Sequence, residues 1–179
     1  MKKLSLEQLN RDSLEEFRNK KKQPIVIVLD NIRSAHNVGS VFRTADGFAL
    51  SHIYLCGITA RPPHKEITKT AIGATEAVTW SYAEDVSACV SELKDKGYQI
   101  IGIEQTDVSV MLSEYEPTDP SPMMALVLGN EVHGLTDALL PLLDQAIEIP
   151  QYGTKHSFNV SVCAGIVIWE IIRKLNLRS

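Results

Sequence analysis

Cysteine is scarce in this chain of 179 residues: Cys56, Cys89 and Cys163 are the whole set. An odd number without CxxC spacing gives no support to a disulfide framework or a zinc knuckle, and fits a reducing cytoplasm. Long apolar runs are also missing. None approaches the roughly 20 residues that cross a bilayer, and LSLEQLNRD is too polar for the core of a signal peptide, so no membrane association is expected. Familiar fingerprints are lacking as well. No GxGxxG follows a strand, neither GxxxxGK[ST] nor GxSxG occurs, and the five histidines show no metal-ligand spacing.

Basic residues are outnumbered, 18 against 22 acidic ones, for a net charge of −4. That balance argues against a whole surface built for nucleic acid. The distribution is uneven, however. Residues 1–22 hold seven basic and four acidic side chains, so this arm carries +3 and the remainder −7. The run RNKKK, with Lys20, Lys21 and Lys22, could follow a phosphate backbone or serve only as a solvated linker.

What is present is an alternation of short apolar runs with helical spacing, in a chain long enough for one domain with a full core. Ser5 with Gln8 reads as a capping box, and Leu6, Leu9, Leu14 and Phe17 predict an amphipathic helix ending before the lysines. Residues 1–24 are therefore expected to be an appended helix and basic linker, and 25–179 the domain. Runs at 25–29, 52–58, 98–104, 124–129 and 146–150 predict strands, with a smaller one in AVTWSY. Helices are expected near 37–49, 85–96, 136–144 and 159–176, and EPTDPSP (116–122) is a loop. Near-continuous apolar strands between helices define an α/β class with a mostly parallel sheet.

The last helix, with VSVCAGIVIWEII, is apolar nearly all round and must be covered on more than one side. A second copy of the chain is the expected cover, Gly165 allowing close approach; a monomer that buries the helix fully is the alternative.

In an open α/β sheet, ligands sit beyond the carboxyl ends of the strands. Three loops there are rich in binding residues: DNIRSAHNVGSVFRTAD (30–46), LGNEVHGLT (128–136) and IPQYGTKHSFNVS (149–161). Taken singly, Asn37, Thr136 and Asn159 read as helix caps, Gly129 and Gly153 as turn glycines, and Glu131 as a solvated carboxylate.

Taken jointly, NVGSVFRTAD, LVLGNEVHGL and IEIPQYGTKHSFNVSVCAGIVIWE resemble motifs 1, 2 and 3 of the SpoU (TrmH-like) branch of the SPOUT RNA methyltransferases, over about residues 25–175. The resemblance implies a SPOUT α/β knot, with a deep C-terminal trefoil knot, that binds S-adenosylmethionine. It implies a homodimer whose active sites use both chains, and methyl transfer to a ribose 2′-hydroxyl of tRNA or rRNA. Motif 1 makes Asn37 and Arg43 active-site residues; motif 2 adds Glu131, and motif 3 Ser157 and Asn159. The cofactor pocket is expected to be lined by Leu128, Gly129, Ile149, Gln151 and Phe158. Many relatives carry Met at the position of Gln151 and Leu at that of Phe158. A guanidinium stays protonated at any accessible pH, so Arg43 is expected to hold the adjacent RNA phosphate and stabilise the developing alkoxide rather than act as a base. Lys20, Lys21 and Lys22 are candidate RNA contacts, and a short basic arm of this kind favours tRNA over rRNA. A non-catalytic RNA-binding relative, or a nucleotide-binding α/β protein of flavodoxin or Rossmann type, is the competing reading.

Overall fold

The computed structural model describes residues 1–5, 7–117 and 123–176. Leu6 and most of the EPTDPSP loop lie outside them. Among the described residues, seven strands form one sheet: β1 (Gln23–Asp30), β2 (Leu50–Cys56), β3 (Trp80–Ala83), β4 (Gln99–Ile103), β5 (Val110–Met111), β6 (Met124–Leu128) and β7 (Gln145–Glu148). Every pairing is parallel, in the order β3-β2-β1-β6-β4-β7-β5. All strands therefore end on the same edge.

The central strands show why an unbroken apolar run is needed. Alternate residues of a strand face opposite sides. Ile25, Ile27 and Leu29 enter one core and Val26 and Val28 the other, so no polar position is tolerated in between. The five residues of β6 are likewise all buried.

The first core is covered by α2 (Ala35–Gly47), α3 (Lys65–Ala71), α4 (Ala74–Ala77) and α6 (Val160–Asn176). The second is covered by α5 (Val86–Asp95), which Asp85 caps by accepting from the Ser87 amide at 2.7 Å, and by a 3-10 helix. Helices α2 and α3 meet at Gly39. A Cβ there would lie 2.5 Å from the Ile67 carbonyl oxygen and 2.1 Å from Thr70 Oγ1, so only glycine permits the crossing.

Several expectations change. The Ser5–Gln8 pair forms its reciprocal hydrogen bonds but opens only a 3-10 turn, Glu7–Leu9. The helix that follows, α1 (Leu14–Asn19), carries its own capping box from Ser13 and Glu16. It lies against α4, with Phe17 buried and the Arg18 guanidinium donating to the Glu76 carbonyl at 3.0 Å. The helix expected at 136–144 is the 3-10 helix Asp137–Leu142, because Pro141 within it has no amide to continue an α-helix. The two-residue strand β5 was not expected. No helix among the described residues is long and apolar enough to cross a membrane.

Helix α6 buries Val160, Ala164, Val167, Ile168, Ile171, Ile172 and Leu175. Its other flank stays open: Val162 is 50% and Trp169 56% exposed. Near its end the buried Lys174 donates to the carbonyls of Leu112 (3.2 Å), Ser113 (2.9 Å) and Tyr115, matching three N–H donors to three acceptors. This clasp fixes the segment after β5 to the last helix.

Candidate active site

Beyond the ends of β4, β6 and β7 lies a cavity of about 530 Å³. Ile103, Leu128, Ile147 and Ile149 give it an apolar wall, and the loops after β6 and β7 give it a polar rim. Leu128, Gly129, Ile149, Gln151 and Phe158, the five positions expected around a cofactor, all line it, as do Glu131, Ser157 and Asn159.

At its mouth three loops are joined by side chains. The Asn37 Nδ2 donates to Glu131 Oε1 at 3.0 Å, and Asn159 Nδ2 donates to Asn37 Oδ1 at 3.0 Å. The direction of this relay follows from chemistry: an ionised carboxylate only accepts, so Asn37 must present its NH2 to Glu131 and its oxygen to Asn159. Glu131 also accepts from the amides of Arg33 (2.9 Å) and Ser34 (3.1 Å). Partial burial raises its pKa, but the Arg33 amide, the Asn37 side chain and further backbone donors outweigh that and hold it below the usual carboxylate range. The far end of the relay is a helix cap, Asn159 Oδ1 accepting from the Ser161 amide at 2.9 Å. Asn159 is thus both cap and connector. Asn37 (7% exposed), expected from sequence to be a cap, instead sits inside the first turn of α2, where Ser34 is the N-cap and accepts from the Asn37 amide, and its side chain is a connector only.

Other polar groups set these loops, and the sequence reading passed over them. Asp30, fully buried at the end of β1, accepts from the Thr136 amide at 2.7 Å and its hydroxyl at 3.0 Å. Glu104, just past β4, accepts from the Leu135 amide at 2.9 Å. Asn130 Nδ2 donates to the Asn31 carbonyl at 2.7 Å. The available signal was an acid closing an apolar run, IVIVLD and IIGIE, where a strand end must accept from a neighbouring loop's N–H groups. Gly129 and Gly134 make this loop tight. A Cβ on Gly129 would fall 2.3 Å from the Gly134 carbonyl carbon, and Gly134 itself has φ of +70°. Gln151 Nε2 reaches the His156 carbonyl at 3.4 Å, beside Gln105 Nε2 at 3.2 Å, so this glutamine braces the glycine loop from within.

Arg43 is not brought to this cavity. It stands with His36, Ser40 and Thr44 on another face of α2, where a separate groove runs against α3. In the arm, Lys20 pairs with Asp12, and Lys22 donates to the Phe17 carbonyl with its ammonium over the Phe17 ring, leaving Lys21 exposed to solvent.

An open parallel sheet with a half-apolar cavity at its strand ends, closed by a carboxylate–amide relay between loops, defines an α/β protein built to hold a small organic ligand. The chain belongs to the SpoU rRNA Methylase family, whose model matches residues 24–169. It is 31% identical to a tRNA (guanosine(18)-2′-O)-methyltransferase of Aquifex aeolicus, covering 90% of this chain and 74% of that one. It is 32% identical to a 23S rRNA (guanosine-2′-O-)-methyltransferase of Neisseria meningitidis, covering 90% of this chain and 63% of the relative's own length. Among solved structures, the A. aeolicus TrmH/SpoU tRNA modifying enzyme superposes with a TM-score of 0.80 at 27% identity, over 92% of this chain and 82% of that one. An AdoMet-bound rRNA methyltransferase of Sinorhizobium meliloti gives 0.77 at 27% identity, over 88% and 59%.

Proposed function

We propose that the protein is an S-adenosylmethionine-dependent RNA methyltransferase acting on a ribose 2′-hydroxyl, in the cytoplasm and on tRNA rather than rRNA. The observation that carries this reading is the Glu131–Asn37–Asn159 relay at the mouth of the cavity. The cavity suits the cofactor chemically: its apolar wall accommodates a purine, and its rim of backbone and amide groups accommodates a ribose and an amino acid end. Leu128, Gly129, Ile149, Gln151 and Phe158 would hold it. When bound, the cofactor supplies an already activated methyl group. The chain's own residues bind and align. Glu131 and Asn37 hold the first loop against the second, and Asn159 fixes the head of α6, so that Ser157 is presented beside the reacting ribose.

A second copy completes this site. Arg43 does not line the cavity of its own chain, and α6, which touches α2, leaves Val162 and Trp169 uncovered. A homodimer packed on this flank would bring the Arg43 of one chain toward the cavity of the other. The trefoil knot implied by the family, through which the segment after β7 would thread, belongs to the same reading, as does RNA contact by the basic arm.

The test is transfer of labelled methyl to unmodified total tRNA and, separately, rRNA, followed by nucleoside analysis. A 2′-O-methylnucleoside is expected from tRNA. Arg43→Lys is expected to lower turnover at least about tenfold with RNA affinity largely kept, since an ammonium cannot reproduce a bidentate fork. Label in neither pool despite cofactor binding would favour the non-catalytic relative. The dimer has its own check. A Cβ at Gly165 meets nothing within 4 Å in the single chain, so Gly165→Glu should fold normally yet sediment as a monomer and lose transfer. An unchanged dimer would place the interface elsewhere.

A further inference from the structure

The groove between α2 and α3, apart from the cavity at the strand ends, has a volume of about 510 Å³. Its lining comprises His36, Ser40, Arg43 and Thr44 from α2, Lys69 and Thr70 from α3, and Ile72. Two fixed cations and a histidine stand here without a carboxylate, in a chain whose net charge is −4. Neither Arg43 nor Lys69 forms an ion pair with any described residue.

The groove's hydroxyls are already engaged. Ser40 donates to the His36 carbonyl at 3.0 Å, Thr44 to the Ser40 carbonyl at 3.1 Å, and Thr70 to the His36 carbonyl at 3.0 Å. With those protons directed to the backbone, the two cationic side chains and the His36 imidazole are the side-chain donors left to face a ligand. The glycine crossing at Gly39 lets α3 lie directly against α2, with the Thr70 hydroxyl between the His36 and Glu66 carbonyls, each at 3.0 Å. Lys69, in the last turn of α3, lines the groove together with Arg43 of α2.

We infer that this groove seats a phosphate of the substrate RNA strand, with Lys69 as the second cation beside Arg43. The inference rests on the RNA-methylating reading above and adds a positioning residue to it. Phosphate contacts fix the register of a strand without reading its bases, which is what a 2′-hydroxyl acceptor requires. A lysine suits the role as a point charge, complementing the planar fork of the arginine.

The experiment measures tRNA binding by filter retention across a potassium chloride series for wild type, Lys69→Glu and Lys69→Arg, with KM for tRNA, kcat and cofactor affinity read in parallel. Lys69→Glu should weaken tRNA binding about tenfold or more and make its salt dependence shallower by about one unit of the log–log slope. The kinetic loss should fall on KM more than on kcat, with cofactor affinity unchanged. Lys69→Arg, which keeps the charge, should restore most of the binding and shows that the fold is intact. Wild-type tRNA binding together with unaltered affinity and slope in Lys69→Glu overturns the assignment alone. If Lys69→Glu instead relieves competition by inorganic phosphate, at constant ionic strength, without changing tRNA affinity, the groove is a free-anion site and the assignment is again overturned. A wild-type protein that binds no RNA overturns the parent reading as well.

Discussion

Replacing Asn37 with alanine is expected to cut methyl transfer by about a hundredfold while leaving cofactor affinity nearly intact, because a small misplacement of aligned groups has that effect on rate. The side chain never needs to touch the reacting atoms for this. It links Glu131 to Asn159, and its removal takes one donor from a carboxylate and one acceptor from the cap of α6. A hydrogen bond to a charged group contributes about 1.5–3 kcal/mol, so thermal stability should fall as well. Kinetics with separate kcat and KM, beside a melting curve, would check both; a change confined to cofactor binding would count against the relay. Acid acts on the same bond. Glu131 has a lowered folded-state pKa, so its stabilising contribution is fully present above its unfolded value and is lost as pH falls through the folded one. The stability gap between wild type and Glu131→Gln should accordingly narrow on acidification below the usual carboxylate range.

The second large effect is expected at Gly129. Alanine there would place its Cβ 2.3 Å from the Gly134 carbonyl carbon, 2.4 Å from the Leu135 nitrogen and 2.5 Å from the Gly134 oxygen. All three are backbone atoms, so no side chain can swing away, and the loop after β6 must move. Overpacking of this kind typically costs about 1–3 kcal/mol, which for a chain of this size lowers the melting point by several degrees. Activity should fall further than stability, since the displaced loop carries Glu131. Gly153→Ala is the matching control, because nothing lies within 4 Å of a Cβ at that position. Equal effects at the two glycines would mean that the close approach at Gly129 does not govern the loop.

From sequence, Gly129 and Gly153 read alike, as turn glycines after strands. Their difference depends on a neighbour five residues on whose backbone folds back, and periodicity carries no trace of that. The same limit explains the rest of what was hidden. The strands were legible because burial on both faces forbids polar residues in IVIVL and MALVL, and the motif positions lining the cavity followed from the family resemblance. Strand order was not legible, since a parallel sheet leaves no local mark of which strand neighbours which. Asp30 and Glu104 escaped because an acid that accepts from loop amides is distinguished from a solvated one only by the amides that surround it. Lys174 escaped for a related reason: at a helix C-terminus a lysine is commonplace, and only the fold shows three carbonyls waiting for it. The helix expected at 136–144 failed on Pro141, which has no amide to continue an α-helix.

The relay also fixes when this protein becomes competent. Its two bonds join residues 94 and 122 positions apart, and the Asp30 contact with Thr136 spans 106. Contacts of such range contribute only after the intervening chain has been ordered and its closure entropy offset. Strand β6 must insert between β1 and β4 before Glu131 can reach Asn37, and β7 must join β4 before Asn159 arrives. A chain still folding can therefore own most of its sheet and no site at all. The site is completed only once these most distant contacts have formed.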